Sequence, residues 1–176
     1  MSEPHYQVET YEARNSVGYL VKRTYALMLD SLEPAFAEHG FTYMQYVVLM
    51  QLRSGEAVNQ RDFCRTYRHD SGAFTRVIDQ LADRGLVERE RSAEDRRKVN
   101  LHLTPAGHAT CEELIPLVVE KLNAAVADFS RAELDEMGRL VNKFIAGMQG
   151  ELARTAHAAS AATDLGRTAH TREGVT

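Results

Sequence analysis

The feature that most constrains this chain is the stretch 70–107, which reads DSGAFTRVIDQLADRGLVERERSAEDRRKVNLHLTPAG. Its first half spaces apolar residues at i, i+3, i+4 and i+7, which places them on one helical face: Phe74, Val77, Ile78 and Leu81. Asp70 or Ser71 can cap the start of this helix. Gly85 supplies the left-handed residue that ends it. The sequence therefore predicts an amphipathic helix that stops before Gly85.

A two-stranded hairpin is predicted to follow this helix. The first strand runs from Leu86 to Arg91, and a charged turn covers residues 92–97. The second strand alternates apolar with polar side chains: Val99, Leu101 and Leu103 against Lys98, Asn100 and His102. Helix, strand, basic turn and strand is the plan of a winged helix-turn-helix. We therefore predict a mainly α (α+β) fold with a winged helix-turn-helix at residues 41–104.

The residue types on this helix and hairpin suit DNA. A recognition helix needs small or polar side chains near its start, because its backbone must enter the major groove. The sequence supplies them at Ser71, Gly72, Ala73, Thr75 and Arg76. The wing turn carries the cations that reach a minor groove or backbone: Arg96, Arg97 and Lys98. The alternative is a solvated amphipathic helix followed by an ordinary charged hairpin, but helix and wing in this order favour DNA binding.

Charge is unevenly distributed along the chain. The whole chain has a formal net charge of −4. Residues 53–98 hold 11 Lys/Arg and 9 Asp/Glu, a net charge of +2. The predicted DNA-binding region is thus positive relative to the rest of the chain, as expected of a nucleic-acid-binding surface.

Helical patterns flank the winged region. Asn15 or Ser16 can cap a first helix, whose apolar stripe extends from Val17 to Leu32, and Pro34 predicts a kink or break near Leu32. His39 and Gly40 close that segment. A second helix begins with a Thr42–Gln45 capping box, runs to Arg53 and stops at Gly55. A short helix after Asn59 is the predicted first helix of the helix-turn-helix.

Two more helices are predicted after the wing. Thr104 caps the first, which starts at Pro105, runs to about Phe129 and should bend at Pro116. A Ser130–Glu133 capping box starts the last helix, which carries apolar residues from Leu134 to Met148 and ends at Gly150. The winged region cannot cover the stripes of both the first and the last helix. We therefore predict that residues 15–40 and 105–150 form a dimerisation region, with an intramolecular bundle as the alternative.

The two chain ends are predicted to lie outside the packed structure. Residues 1–14 are polar, with Tyr6 and Tyr11, and are interpreted as an N-terminal arm that packs on a partner subunit, with a disordered lead-in as the alternative. Residues 151–176 are rich in Ala and Thr and are predicted to form a disordered tail. The chain has no apolar run long enough for a membrane span and no basic start followed by an apolar stretch, so the expected location is the cytoplasm.

The stretch 70–107 resembles the MarR family of bacterial transcription regulators. The most specific pieces are LADRGLVER at 81–89, Asp95-Arg96-Arg97, and LTPAG at 103–107. The resemblance extends more weakly over residues 16–150. It implies a homodimer that binds a pseudo-palindromic operator, as a repressor, and is often released by a small ligand. It also implies that Arg97 enters the minor groove while Asp95 orients it or pairs nearby.

The resemblance further implies an effector pocket between the dimerisation helices and the winged region. The residues that could line it are Arg14, Ser16, His39, Tyr43 and Tyr46. Tyrosine rings with a cation suit an aromatic carboxylate, because the rings stack and the cation pairs with the acid. The alternative is that Tyr46 belongs to the core and that Arg14 is solvated.

Catalysis and metal binding find little support. The seven histidines are scattered, and no nucleophile, base and orienting group form a recognisable motif. His108 and Cys111 are spaced i, i+3, but further ligands are missing, so we predict neither a metal site nor a cofactor.

Two functional alternatives remain open. One is a redox-responsive regulator that uses Cys64 or Cys111, although Cys64 suits a small buried core position. Another is a winged-helix module that binds proteins rather than DNA. It would not need Arg76 together with Arg96 and Arg97.

Overall fold

The computed structural model describes residues 4–55, 59, 71–91 and 99–170, with only the backbone described for residue 71 and residues 159–170. The described elements are the helices α1 (Val17–Glu38), α2 (Tyr43–Ser54), α3 (Ser71–Asp83), α4 (Pro105–Ala125) and α5 (Arg131–His170), with strands β1 (Val87–Arg91) and β2 (Val99–Leu103). Two short 3₁₀ turns, Val8–Thr10 and Ala13–Asn15, precede α1. The predicted helix after Asn59 and the proposed cap Asp70 lie outside what is described, and the side chain of the other proposed cap, Ser71, is not described. The chain divides into two compact units, one ending at Ala125 and one starting at Val126.

Helix α1 continues past Leu32, where the sequence predicted a kink or break. Ser16 caps it by accepting a hydrogen bond from the Tyr19 N–H (3.2 Å). The helix has no break near Leu32, and Pro34 lies inside it. Leu32 and Phe36 on either side of the proline are 1% and 0% exposed. Burial of these two side chains therefore offsets the backbone hydrogen bond that Pro34 cannot make.

The predicted start and stop signals of α2 are confirmed. The Thr42 hydroxyl accepts from the Gln45 N–H (3.2 Å), and the Gln45 Oε1 accepts from the Thr42 N–H (3.0 Å). Both halves of the capping box are therefore present. Gly55 ends the helix with a φ of 73°, a conformation that costs other residues energy because of their Cβ atom.

Helix α3 ends as the sequence predicted. Gly85 has a φ of 69°. The Leu86 N–H donates to the Leu81 carbonyl (2.9 Å) and the Gly85 N–H donates to the Ala82 carbonyl (2.8 Å). These are the two hydrogen bonds of a Schellman motif, which satisfies carbonyls at the end of a helix. The motif also turns Leu86 and Val87 back into the core, where both are buried.

Strands β1 and β2 pair antiparallel, with Val87 opposite Leu103 and Arg91 opposite Val99. Leu101, in the middle of β2, is 4% exposed. Asn59 forms an isolated antiparallel bridge with Asn100 of β2. The pairing of β1 with β2 confirms the predicted hairpin.

Thr104 joins the base of this hairpin to α4. Its N–H donates to the Leu86 carbonyl (3.1 Å), and its hydroxyl donates to the Gly85 carbonyl (2.7 Å). The same hydroxyl accepts from the Gly107 N–H (3.0 Å), which confirms Thr104 as the cap of α4. The helix ends at Ala125, four residues before the predicted end at Phe129, and it includes Pro116.

The hydrophobic core lies within the first unit. It combines one face from each of α1, α2, α3 and α4 with the inner residues of the hairpin. The buried side chains are Leu32, Phe36, Phe41, Val48, Leu49, Phe74, Ile78, Leu81, Leu86, Val87, Leu101, Cys111 and Leu114. This core fixes α3 against the hairpin and against α2, which defines the position of the predicted DNA-binding face.

Helix α5 starts as predicted but does not end at Gly150. The Ser130 N–H donates to the Glu133 carboxylate (2.8 Å), and the Ser130 hydroxyl accepts from the Glu133 N–H (3.3 Å). The helix then continues for 40 residues to His170. Residues 151–170 are therefore helical rather than a disordered tail. Gly150 has no positive φ, and the following segment is rich in alanine, the strongest helix former.

Several large apolar side chains of the flanking helices are exposed in the single chain. On α1 they are Val17, Tyr19, Leu20, Val21, Tyr25 and Leu27. On α5 they are Met137, Leu140, Val141, Phe144, Ile145, Met148 and Leu152. Apolar surface of this extent marks an interaction site rather than a solvated face.

Candidate DNA interface

Helix α3 presents a polar surface opposite its core face. Phe74, Ile78 and Leu81 are each no more than 1% exposed and fix the inner side of the helix. Gly72, Ala73 and Arg76 are exposed, and Thr75 is half-buried. Of the predicted contact Ser71 only the backbone is described. The small side chains at the start of α3 leave its backbone open to close approach by a ligand, as entry into a major groove requires.

An ion pair links the hairpin to the exposed side of α3. The Arg89 guanidinium of β1 donates to the Asp79 carboxylate of α3. Beside this pair lies a cleft of about 270 Å³, lined by Thr75, Ile78, Asp79, Arg89, Val99 and Leu101. A charge-assisted hydrogen bond between two elements restricts their relative rotation. The hairpin and α3 are therefore held in one arrangement near their bases.

The predicted wing-tip residues lie outside the described part of the chain. They are Asp95, Arg96, Arg97 and Lys98. The last described residues on either side are Arg91 and Val99, which pair with each other across the hairpin. The described part of the hairpin therefore ends at this pair.

The five predicted effector residues do not come together within one chain. Arg14 and Ser16 precede α1, whereas His39, Tyr43 and Tyr46 lie at its far end and on α2. Helix α1 has 22 residues, so its ends are about 33 Å apart at 1.5 Å per residue. Arg14 is exposed and lies 3.9 Å from the Glu12 carboxylate, and Ser16 is occupied in capping α1. The unbroken helix thus separates the set into two groups.

The group at the α1–α2 connection is aromatic. Tyr46 stacks on Phe36 with ring centroids 4.9 Å apart, and Tyr43 lies 6.1 Å from Tyr46 and 6.4 Å from Tyr25. Burial, with a smaller contribution from Cys111, raises the pKa of the Tyr46 hydroxyl. His39 is exposed, and its Nδ1 lies 3.0 Å from the Ala35 carbonyl. Three of the five residues therefore share one neighbourhood, in which the tyrosines also pack against the core.

Cys111 lies in the core of the first unit and is fully buried. Burial raises the pKa of its thiol, an effect that Arg53 partly opposes and Glu112 reinforces. A reactive cysteine needs the opposite, a lowered pKa and access to solvent. Cys111 therefore behaves as a small apolar core residue. Cys64 lies outside the described residues.

Neither a metal-binding group nor a membrane span is found in the part of the chain that the structure describes. Among those residues, no three His, Cys, Asp or Glu side chains come together in a way that could hold a metal ion. Over the same ranges, no helix combines the length and apolarity needed to cross a membrane.

Comparison with known proteins agrees with this geometry. A profile described as MarR family matches residues 39–98. SarZ, an HTH-type transcriptional regulator of Staphylococcus haemolyticus, is 30% identical over 105 residues, which are 60% of this chain and 68% of SarZ. The chain belongs to the MarR family. TtmR of Methylorubrum extorquens, another HTH-type transcriptional regulator, is 30% identical over 131 residues, but the match spans only 61% of its length.

Solved MarR-family structures share this fold. A MarR variant from E. coli, complexed with operator DNA, has a TM-score of 0.63 and 25% identity, covering 76% of this chain and 99% of that one. BpsR of Bordetella bronchiseptica, whose DNA binding is regulated by 6-hydroxynicotinic acid, has a TM-score of 0.65 and 28% identity, covering 76% and 96%. This chain is accordingly a winged-helix DNA-binding transcription regulator and not an enzyme.

Sequence patterns did not identify every residue that shapes the interface. Asp79 and Arg89 lie ten residues apart in different elements, so no local pattern indicates their ion pair. The same holds for Gln45 and Gln80, whose side-chain amides are hydrogen-bonded, and for Arg84, which contacts the α1–α2 connection.

Proposed function

We propose that this MarR-family protein binds a pseudo-palindromic operator as a homodimer, represses transcription in the cytoplasm, and is released by a small aromatic carboxylate. The observation that carries the proposal is the arrangement of α3, with its small and cationic exposed face, against the base of a hairpin whose tip is basic. Helix and wing in this arrangement match a major groove and its neighbouring minor groove.

The proposed DNA contacts divide into two groups. On α3 they are Ser71, Gly72, Ala73, Thr75 and Arg76, which approach base edges and phosphates in the major groove. On the wing they are Asp95, Arg96, Arg97 and Lys98, with Arg97 in the minor groove and Asp95 orienting it. The ion pair between Asp79 and Arg89 supports this proposal, because it fixes the hairpin relative to α3.

The exposed apolar stripes of α1 and α5, which the single chain leaves in water, support the proposed homodimer. Two recognition helices must match half-sites about 34–36 Å apart, one turn of DNA, so both subunits must be held at a fixed separation. We assign this task to residues 15–40 and 105–150. The N-terminal arm, residues 1–14, would contribute to the same interface.

The proposed effector site lies at the α1–α2 connection, around His39, Tyr43 and Tyr46. Its aromatic rings and its histidine suit a planar acid. BpsR supports this ligand class, since 6-hydroxynicotinic acid is an aromatic carboxylic acid. Arg14 and Ser16 would join the site only if the partner subunit brought its own N-terminal end of α1 to this connection. The ligand would release DNA by favouring a separation of the recognition helices that the operator does not match.

Removing one cation from each half of the proposed interface tests the DNA contacts. We expect Arg76→Ala and Arg97→Ala each to weaken operator binding by about 1–3 kcal/mol, the range of a good base or groove contact. Binding of the wild type should weaken as salt rises, because bound cations displace counterions from the phosphates. The measurement is fluorescence anisotropy with an operator selected by the wild type from random duplexes.

Arg154→Ala is the matched control, since Arg154 is an exposed arginine that pairs with Glu151 and lies outside the proposed interface. It should bind the operator as the wild type does. An Arg97→Ala protein with wild-type affinity at physiological salt would show that the wing does not engage DNA. A protein that selects no duplex at all would favour the protein-interaction alternative.

The effector proposal predicts a specific response to aromatic acids. In a thermal-shift screen of benzoates, salicylates and hydroxycinnamates, at least one compound should stabilise the free protein and weaken operator binding. A 100-fold weakening requires about 2.7 kcal/mol of coupling, which a buried charge-assisted contact can supply. His39→Ala should reduce the response to that compound, whereas the matched exposed variant His108→Ala should not. If no acid produces both effects, this ligand class is wrong and the DNA-binding function is unaffected.

The redox alternative receives no support from Cys111. Its thiol is fully buried and has a raised pKa, so little thiolate is available to react with an oxidant. Cys64 alone keeps that alternative open. A Cys64→Ser protein that still lost DNA binding on oxidation would exclude Cys64 as the sensor, and a wild type whose operator affinity is unchanged by oxidation would exclude the redox alternative.

A further inference from the structure

Two contacts join the last turn of α3 to the connection between α1 and α2, and we call them the α3 tether. In the first, Arg84 Nη1 donates to the Gly40 carbonyl (2.9 Å), and the guanidinium lies 3.8 Å from the centroid of the Phe41 ring. In the second, Gln45 Nε2 donates to Gln80 Oε1 (3.0 Å). Arg84 directly follows α3, and its N–H donates to the Gln80 carbonyl (3.2 Å), so both residues lie at the C-terminal end of the helix.

Both contacts are made to residues that are themselves held in place by burial and hydrogen bonds. Phe41 is 8% exposed, and its N–H donates to the Phe36 carbonyl at the end of α1 (2.9 Å). Gln45 is 7% exposed, and its Oε1 already accepts from the Thr42 N–H. The tether therefore connects α3 to the C-terminal end of α1 and to the first turn of α2, not to a free loop.

The tether adds a constraint that the core does not supply. Phe74, Ile78 and Leu81 hold α3 by apolar packing, which is not directional. A hydrogen bond and a cation–ring contact are directional, because they weaken when the partner rotates or slides. Small errors matter at this position, since a reading side chain must be held within roughly 0.5 Å of its target.

We propose that Arg84 is a positioning residue for DNA binding: it fixes the C-terminal end of α3 to the α1–α2 connection and so couples the placement of α1 to the orientation of α3 in the groove. This rests on the proposed placement of α3 in DNA. Arg84 then acts through α3 and does not contact DNA. A movement of α1 that shifts Gly40 and Phe41 would be transmitted to the recognition helix through Arg84.

The experiment compares Arg84→Ala, Arg84→Lys and the neighbouring control Asp83→Ala with the wild type on the wild-type-selected operator. Affinity is measured by anisotropy over a series of salt concentrations. We expect Arg84→Ala to weaken binding about 3- to 10-fold, a range consistent with the loss of an exposed cation–ring contact and a hydrogen bond. The dependence on salt should not change, because no phosphate contact is lost. Arg84→Lys keeps the charge but not the flat guanidinium and should be weakened as well.

A direct phosphate contact predicts a different result. Arg84→Ala would then reduce the slope of log affinity against log salt by about 1, and Arg84→Lys would bind as the wild type does. That outcome would overturn the proposal. So would an Arg84→Ala protein with unchanged affinity, whatever its thermal stability, because the tether would then support only the fold. Asp83→Ala should match the wild type throughout.

Operators of altered spacing provide a readout that a purely structural role would not change. One base pair is inserted or removed between the half-sites, and the affinity lost is compared for the wild type and Arg84→Ala. If Arg84 fixes the orientation of α3, the variant should lose less than the wild type, because its helices can adjust. Equal losses would contradict the proposal. A wild type that selects no operator would instead refute the proposed function, so the two failures are distinguishable.

Discussion

Replacing Leu140 and Phe144 by Glu should convert the protein into monomers and abolish tight operator binding. Both side chains lie on the exposed apolar stripe of α5, at 49% and 36% exposure. Because the single chain does not bury them, its fold should survive the change. In a dimer, four carboxylates would face an apolar interface, where unpaired charge is strongly unfavourable. Sedimentation velocity would report the monomer, and circular dichroism the intact helices.

The loss of affinity should be large because the two half-sites act together. Linking two binding modules raises affinity by about 10²- to 10⁴-fold over one module alone, and a monomer forfeits that gain. Asn142→Glu with Ala146→Glu is the matched control, since these exposed residues have the same i, i+4 spacing on the polar side of α5. The control should remain a dimer with wild-type affinity. A Leu140→Glu, Phe144→Glu protein that sediments as a dimer would exclude α5 from the interface.

Gly107→Ala should strongly destabilise the first unit. A Cβ at Gly107 would lie 2.1 Å from the Leu86 carbonyl oxygen and 3.2 Å from Leu103 Cδ2. The oxygen belongs to backbone that also accepts the Thr104 hydrogen bond, so it cannot move without breaking the cap of α4. We expect destabilisation of about 1–3 kcal/mol, as for overpacked cores. Chemical denaturation at fixed protein concentration measures it.

Gly18→Ala provides the comparison for this result. Gly18 also lies in the first turn of a helix, but a Cβ there would meet nothing within 4 Å. Since alanine favours helix by about 0.8–1.0 kcal/mol over glycine, this variant should be neutral or more stable. If the two alanine variants had similar free energies of unfolding relative to the wild type, α4 would not approach the Leu86 carbonyl closely enough to exclude a methyl group.

Local chemistry explains what the sequence could predict. The caps at Ser16, Thr42, Thr104 and Ser130 depend on residues at most three positions apart, and each forms as its motif predicts. The stop at Gly85 depends on one residue that tolerates positive φ. Helix and hairpin periodicity likewise predicted the winged region, which the family assignment supports.

The sequence-based predictions failed in two ways: they ended helices that in fact continue, and they missed contacts between residues that are distant in sequence. Pro34 should break an isolated helix, but the buried side chains of Leu32 and Phe36 hold α1 together across it. Glycine ends many helices because it adopts a positive φ. Gly150 does not adopt a positive φ, so the helix continues through it. Gly107 approaches Leu86 closely, and Arg84 is hydrogen-bonded to Gly40. Neither helical nor strand periodicity relates the two residues of each pair. Such contacts follow from tertiary packing.

The hydrogen bonds of Thr104 have a consequence for how this protein and its relatives can diverge. They close the hairpin at its base, where the chain also turns out of α3 and into α4. A longer or shorter tip therefore leaves both helices in place. Doubling the length of a flexible loop costs only about 0.6 kcal/mol. Insertions and deletions between Arg91 and Val99 should thus be tolerated in evolution, so that the reach of the wing can adapt to new operators while the recognition helix stays where it is.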